Sequence, residues 1–322
     1  MEAAFVRYVV ALDGSGDFTS LQAAVDALPD SGRAELFLRP GTYRERVVIH
    51  RDGVRLVGED RKACVIAASG CAKDRDENGL ERGTFLSATL LISGCGVTVE
   101  NLTVRNDAGD GRLVGQAVAL YAAGDRGVFR HLDLVAHQDT LFCGPLNPRV
   151  AGFISPRRGS AELVQVENLG SCTRTESILR FEDCFIRGDV DFIFGPYRCR
   201  FDRCTLYMNK RGGFYTATNT PVEQDWGFVF RDCVLTGECA AGEAFLGRPW
   251  RKYCRTVFLR CAMDACVAPA GFSDWDEERV ITPLCGEYGT TGARADLSCR
   301  DPREKILTAE EAAALELLSG RF

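Results

Sequence analysis

Two aspartates, Asp189 and Asp191, stand in Gly188-Asp189-Val190-Asp191-Phe192-Ile193-Phe194-Gly195, a run that otherwise reads as a buried β-strand. An ionised carboxylate withdrawn from water without a partner is strongly disfavoured, so such a residue is compensated or put to use. Side chains two apart in a strand share a face. The pair therefore sits together beside a cation, or the chain bends between them. Three further stretches interrupt core-like runs with polar residues of catalytic type: Gly115-Gln116-Ala117-Val118-Ala119-Leu120-Tyr121, His137-Gln138-Asp139-Thr140-Leu141-Phe142 and Leu246-Gly247-Arg248-Pro249-Trp250. A carboxylate is a weak nucleophile unless it is held ionised and aimed, and an arginine fork does both. A second carboxyl acts as a general acid only where its surroundings keep it protonated. Side-chain amides suit a developing oxyanion. Taken one at a time, these residues have plainer readings: Asp139 as a turn aspartate, Arg248 at a strand end, Trp250 in a core, Gln116 bonding backbone at a corner.

The elements that must bring them together are short. Val9-Val10-Ala11-Leu12 reads as a strand, Asp13 to Asp17 as a turn, and Thr19 or Ser20 as the cap of a helix with Leu21, Ala24, Val25 and Leu28 on one face before Pro29. From about residue 34 to 282, β-branched or aromatic runs alternate with Gly, Asn and Asp, with no long helical period. A fuzzy repeat aligns on Leu102, Leu132, Cys184, Cys204, Cys233 and Cys261, at steps of 30, 52, 20, 29 and 28 residues. Such steps without helices predict coils of a β-solenoid, in which distant polar stretches return to one face. The long step holds an extra coil or a large loop. Residues from about 300 to 322 predict a capped helix over an open end of the solenoid, and no linker divides the chain, so a single domain over 1–322 is expected.

With 46% hydrophobic and 26% charged residues over 322 positions, the composition is that of a globular domain with a substantial core. A net charge of −6 argues against nucleic acid or an anionic membrane as partner. The 15 cysteines contain no Cys-x-x-Cys, and His50, His131 and His137 show no metal-ligand spacing, so no metal or cofactor is expected. Stacked, reduced thiols in a reducing compartment are the economical reading. No Gly-x-Ser-x-Gly elbow occurs, which argues against a serine hydrolase.

With Asp13-Gly14-Ser15-Gly16-Asp17-Phe18, Gly83-Thr84-Phe85-Leu86-Ser87-Ala88-Thr89, the four polar stretches in order, the Trp275 region and Glu287-Tyr288, the chain resembles the pectin methylesterase (pectinesterase) family over most of its length. The resemblance implies an all-β fold, a right-handed parallel β-helix. It implies hydrolysis of methyl esters on galacturonate units of pectin or oligogalacturonides, with release of methanol. Asp191 would be the nucleophile and Asp139 the general acid, then the base. Gln138 and Gln116 would serve the oxyanion, Arg248 would pair with Asp191, and Trp250, Tyr121, Phe142, Phe194 and Thr84 would bind sugar. Asp189 falls to a supporting place. A monomer is expected.

Three departures stand out. The N-terminus lacks the pattern of a secretory leader, so a cytoplasmic enzyme acting on short oligomers is expected, with secretion as the alternative. The stretch with Pro145, Pro148, Pro156 and Arg157-Arg158 is long, and is expected to wall one end of the groove. Gly271-Phe272 stands where relatives commonly have Gly-Trp, which removes one expected sugar-stacking contact. A non-catalytic carbohydrate-binding β-helix, a pectate lyase or polygalacturonase, and an esterase for a non-pectin ester are the competing readings. The lyase would want clustered acids for calcium.

Overall fold

The computed structural model describes residues 5–144, 177–282 and 284–321. Among these residues the strands form three parallel sheets, A, B and C, of eleven, nine and seven strands. A coil gives one strand to A, one to B and one to C before the chain returns to A. The strands Arg198–Asp202, Thr205–Met208 and Gly213–Thr218 are one such turn. This is the parallel β-helix expected from the sequence.

Alternation drives it. In Arg33–Leu38 every second side chain is buried, and the inward residues of successive coils stack on their equivalents. Phe129, Phe181, Phe201, Phe230 and Phe258 form a ladder inside sheet A, with centroid spacings of 4.4–4.8 Å and ring planes within 12° of parallel. Each buried ring contributes about 1.5–3 kcal/mol. The repeat legible in the sequence is the corner from A to B. Asn101, His131, Asp183, Arg203, Asp232 and Arg260 all take a left-handed backbone there, with φ of 51–59°. Each is followed by a buried Leu or Cys. The thiols of Cys184, Cys204, Cys233 and Cys261 donate to the carbonyls of Phe129, Phe181, Phe201 and Phe230 of the preceding coil.

The coils extend beyond the expected bounds. Phe5–Val10 pairs in parallel with Arg33–Leu38, and Cys285–Tyr288, Thr291–Gly292 and Lys305–Ile306 continue sheets A and B. Read alone, a strand before a helix looks like a cap, because its parallel partner lies 28 residues on. The helix α1 (Leu21–Asp26) is capped by Ser20, whose hydroxyl accepts from the Ala23 N–H. Gly127–Arg130 pairs directly with Ile178–Glu182, so no strand of sheet A stands between them. The expectation that Pro145, Pro148, Pro156 and Arg157-Arg158 wall the groove lies outside the described residues. A short helix, α2, spans Gly111–Val114 between sheets B and C.

The C-terminal helix α3 (Ala309–Ser319) opens with a capping box between Thr308 and Glu311. It covers a flank of the solenoid, not its end. Ala312 packs on Trp226, Val229 and Leu259 at the outer side of sheet A. Glu316 pairs there with Arg260 at 2.6 Å and Arg231 at 3.5 Å. The outward row Val229, Val257 and Leu259 gives the helix an apolar surface to bury.

Candidate active site

Three of the polar stretches singled out in the sequence lie at the corner from sheet B to sheet C, and the fourth, residues 246–250, lies at the far end of a sheet C strand. Leu141 pairs with Ile193 across adjacent coils. Asp139 and Asp191, each two residues upstream, therefore occupy equivalent positions one strand spacing apart, about 4.8 Å. Both take the left-handed conformation, with φ of 65° and 53°. Aspartate tolerates this conformation better than most residues. The bend at Asp191 resolves the opening ambiguity, since it sends Asp189 and Asp191 to different partners.

Arg248 follows the sheet C strand Ala244–Gly247, two coils on from Asp191. Its Nε donates to Asp191 Oδ1 at 2.8 Å and its Nη2 to Oδ2 at 2.7 Å, a two-pronged fork. The guanidinium carbon lies 4.0 Å from the centre of the Phe214 ring and 3.8 Å from that of Trp275. Asp189 is almost fully buried and serves a different set. It accepts from the Val190 N–H at 2.8 Å, contacts His137 Nδ1 at 3.0 Å and has Arg211 at 3.9 Å.

Both Asp139 and Asp191 are buried. Burial pushes the Asp139 carboxyl well above the usual carboxylate range. The Asp191 charge adds to this against the pull of Arg248. Burial also raises Asp191, opposed by the Arg248 fork. The two aspartates thus shift in the same direction, and the one with the cation is held back. Gln138 hydrogen-bonds the Asp139 carboxylate. Its side chain is packed so closely on Gly111 of α2 that a Cβ at that glycine would approach the amide oxygen to 2.8 Å. Gln116 is half-buried one coil earlier, its carbonyl accepting from Ala72 N–H at 2.8 Å.

The expected sugar-binding residues separate into two groups. Tyr121, Phe142 and Phe194 form a row on the outer face of sheet C, 4.8 Å from ring to ring. Tyr121 and Phe142 are buried, with the Phe85 ring 4.7 Å from that of Phe142, so they support the floor and do not line it. Trp250 meets Phe194 edge-on at 5.7 Å and is only partly buried, as is Thr84, which precedes the 3-10 turn Phe85–Ser87. Phe272, which stands where relatives commonly have Trp, is interior, 6.1 Å from Phe258, and follows the left-handed Gly271.

Three features escaped the sequence: the Phe214–Arg248–Trp275 sandwich, the His137 contact of Asp189, and the contact of Gly111 with Gln138. The only signal available was Trp275, which marks a motif without a role. Among the described residues no three His, Cys, Asp or Glu side chains converge to hold a metal ion. What the arrangement offers is a cation-held carboxylate beside a carboxyl whose pKa is raised, with an amide in contact and an aromatic floor alongside.

The sequence profile described as Pectinesterase matches residues 7–146 and 177–316. Pectinesterase QRT1 of Arabidopsis thaliana is 33% identical over 322 residues, covering 95% of the chain and 75% of the relative. Among solved structures, the pectin methylesterase from carrot superposes with a TM-score of 0.75 at 27% identity, over 97% of this chain and 90% of that one. A pectin methylesterase in complex with hexasaccharide VII gives 0.74 at 26% identity, over 100% and 98%.

Proposed function

The chain belongs to the pectinesterase family of carboxylic ester hydrolases, and on that premise we propose that it removes methyl esters from galacturonate units of homogalacturonan or of oligogalacturonides, with Asp191 as nucleophile and Asp139 as general acid and base. The observation that carries the assignment of roles is the Arg248 fork on Asp191, in register beside the raised, cation-poor Asp139. A carboxylate oxygen of Asp191 attacks the ester carbonyl carbon. The carbonyl oxygen takes up the negative charge, and the Gln138 and Gln116 amides donate to it. Collapse breaks the bond to methoxide, which leaves as methanol with the proton of Asp139. The acyl-enzyme anhydride that remains is hydrolysed when Asp139, now ionised, takes a proton from water. The hydroxide adds to the same carbon, and Asp191 departs as carboxylate with the acid product.

The hexasaccharide in the complex of a related pectin methylesterase supports a polysaccharide or oligosaccharide substrate. Methanol release from polymeric pectin and from methylated tri- and hexagalacturonate tests the function and ranks the substrates. No methanol from any of them overturns it. The described cysteines carry free thiols, most of them buried. That favours action in a reducing compartment on short oligomers. Thiol titration of protein from its native source, with disulfides as the contrary result, tests that second reading.

A further inference from the structure

Arg248 is held on more than its carboxylate. Its guanidinium lies between two aromatic rings, with Phe214 at 4.0 Å and Trp275 at 3.8 Å from its central carbon. Both rings are themselves supported. Phe214 lies 5.5 Å from Phe245 of the next coil with planes 22° apart, and Trp275 carries Arg279 at 4.7 Å on its ring. The loop bearing Trp275 is tied down on two sides: the Ser273 N–H donates to the Gly247 carbonyl at 3.0 Å, and Arg303 pairs with Asp274 at 3.0 Å. Phe214 is placed by the corner segment that carries Asp191. Its N–H donates to the Asp189 carbonyl at 3.0 Å, and its carbonyl accepts from the Phe192 N–H at 3.3 Å. The nucleophile's backbone thus positions one face of the clamp that holds its cation.

An arginine side chain turns about several single bonds, and a fork binds both oxygens only when its plane matches that of the carboxylate. Rings packed on the guanidinium restrict that plane and displace water from it, which strengthens its hold on Asp191. We propose that Phe214 and Trp275 are positioning residues for catalysis, which act by clamping Arg248 in the plane that keeps Asp191 ionised and aimed at the ester carbonyl. Neither ring takes part in the chemistry. The proposal rests on the reading of Asp191 as nucleophile.

The charged groups facing Asp191 are Arg248 and, on the adjacent coil, Asp139, with Asp189 two residues upstream. A loosened fork lets Asp191 take its proton at higher pH. The experiment measures kcat, KM and the pH–rate profile on methylated hexagalacturonate for Phe214→Leu, Trp275→Leu, Phe214→Tyr and Trp275→Phe, with Asp191→Asn as control. Each leucine variant is expected to lose kcat by about tenfold with KM nearly constant and its acidic limb moved to higher pH. The aromatic replacements recover most of the loss. A rise in KM with kcat and acidic limb unchanged overturns the proposal in favour of a sugar-stacking wall. Equal losses in the leucine and aromatic variants, or a fall in active enzyme concentration with an unmoved acidic limb, also overturn it. Trp275 lies in a loop outside the strand ladder, so its variants report even if Phe214→Leu does not fold. Full activity in Asp191→Asn would instead remove the underlying assignment of the nucleophile.

Discussion

At the corner from sheet A to sheet B, Asp183 and Asp232 bend the chain with φ of 53° and 55°, and their carboxylates reach Arg203 and Arg260 of the following coil, each at 2.8 Å. At the corner from sheet B to sheet C, Asp139 and Asp191 bend it the same way, at 65° and 53°, with carboxylates closed off from water. One residue type in one backbone conformation ends in opposite electrostatic states. The hydrogen bond from Arg203 lowers Asp183 below the usual range, whereas burial drives Asp139 well above it. The left-handed aspartate is therefore a general device of this solenoid for turning a corner. What makes it chemical is the exclusion of water and the allotment of cations. Asp183 and Asp232 each pair with an arginine, while of the two buried aspartates only Asp191 is held by a fork.

The largest effect that tests this contrast is Asp191→Asn against Asp183→Asn. Asparagine keeps the left-handed turn in both. Methanol release is expected to fall by about a thousandfold or more in the first and to change by less than about twofold in the second. Comparable losses in both would mean that the corner's shape, not its burial, carries the activity.

Next comes Gln138→Ala. Loss of an amide donor to the oxyanion is expected to lower kcat by about a hundred- to a thousandfold. Gly111→Ala is expected to lower it too, by displacing the same amide, because the added carbon has no room beside it. Steady-state kinetics with the folded fraction monitored by circular dichroism checks both.

The pH dependence of stability sharpens the contrast further, since the two corners have opposite signs. A carboxyl raised in the folded state, such as Asp139, favours folding below the unfolded value of about 3.9, and that contribution is lost as pH rises through the folded value. Asp139→Asn is therefore expected to melt higher than the parent at neutral pH and to converge with it toward pH ~4, by about 2–4 °C for each kcal/mol relieved. Asp183 is lowered, so its contribution is present above about 3.9 and lost as pH falls through the folded value. Asp183→Asn is expected to melt slightly lower at neutral pH, by less than about 1 kcal/mol, because the pair is open to solvent. Thermal melts from pH 4 to 8 separate the two. A common sign would break the comparison.

Smallest in its effect on catalysis is Cys204→Ala, which removes one rung of the thiol ladder. About 1 kcal/mol of stability is expected to go, read in urea titration, with methanol release unchanged.

The period of the solenoid was legible because stacked equivalents leave a sequence trace: Leu102, Leu132, Cys184, Cys204, Cys233 and Cys261 recur behind a residue that bends left-handed. The polar stretches were legible for a related reason, as they break that trace. Contacts that depend on which coil faces which were not. Phe214 looks like any strand phenylalanine until the register sets it beside Asp191 and under Arg248. The resemblance to the family places Tyr121 and Phe142 in the groove. Only the fold shows that Phe85 covers them from a neighbouring corner. The N-terminal strand reads as a cap and not as part of the coils because its partner lies in another coil, and the C-terminal helix goes to a flank because the apolar row that receives it is assembled from two strands.

The groups that meet at the site come from five consecutive strands of sheet C or the corners leading into or out of them, from the coil of Gln116 to that of Arg248. In a solenoid each coil is held mainly by its two neighbours, so unfolding can begin at an end and travel inward. Arg248 directly follows the last of these sheet C strands, closest to the C-terminal end. Catalysis thus becomes a gauge of cooperativity. If the last coils fray first in mild denaturant, activity disappears while most of the β-sheet signal persists. If the stack melts as a unit, the two are lost together.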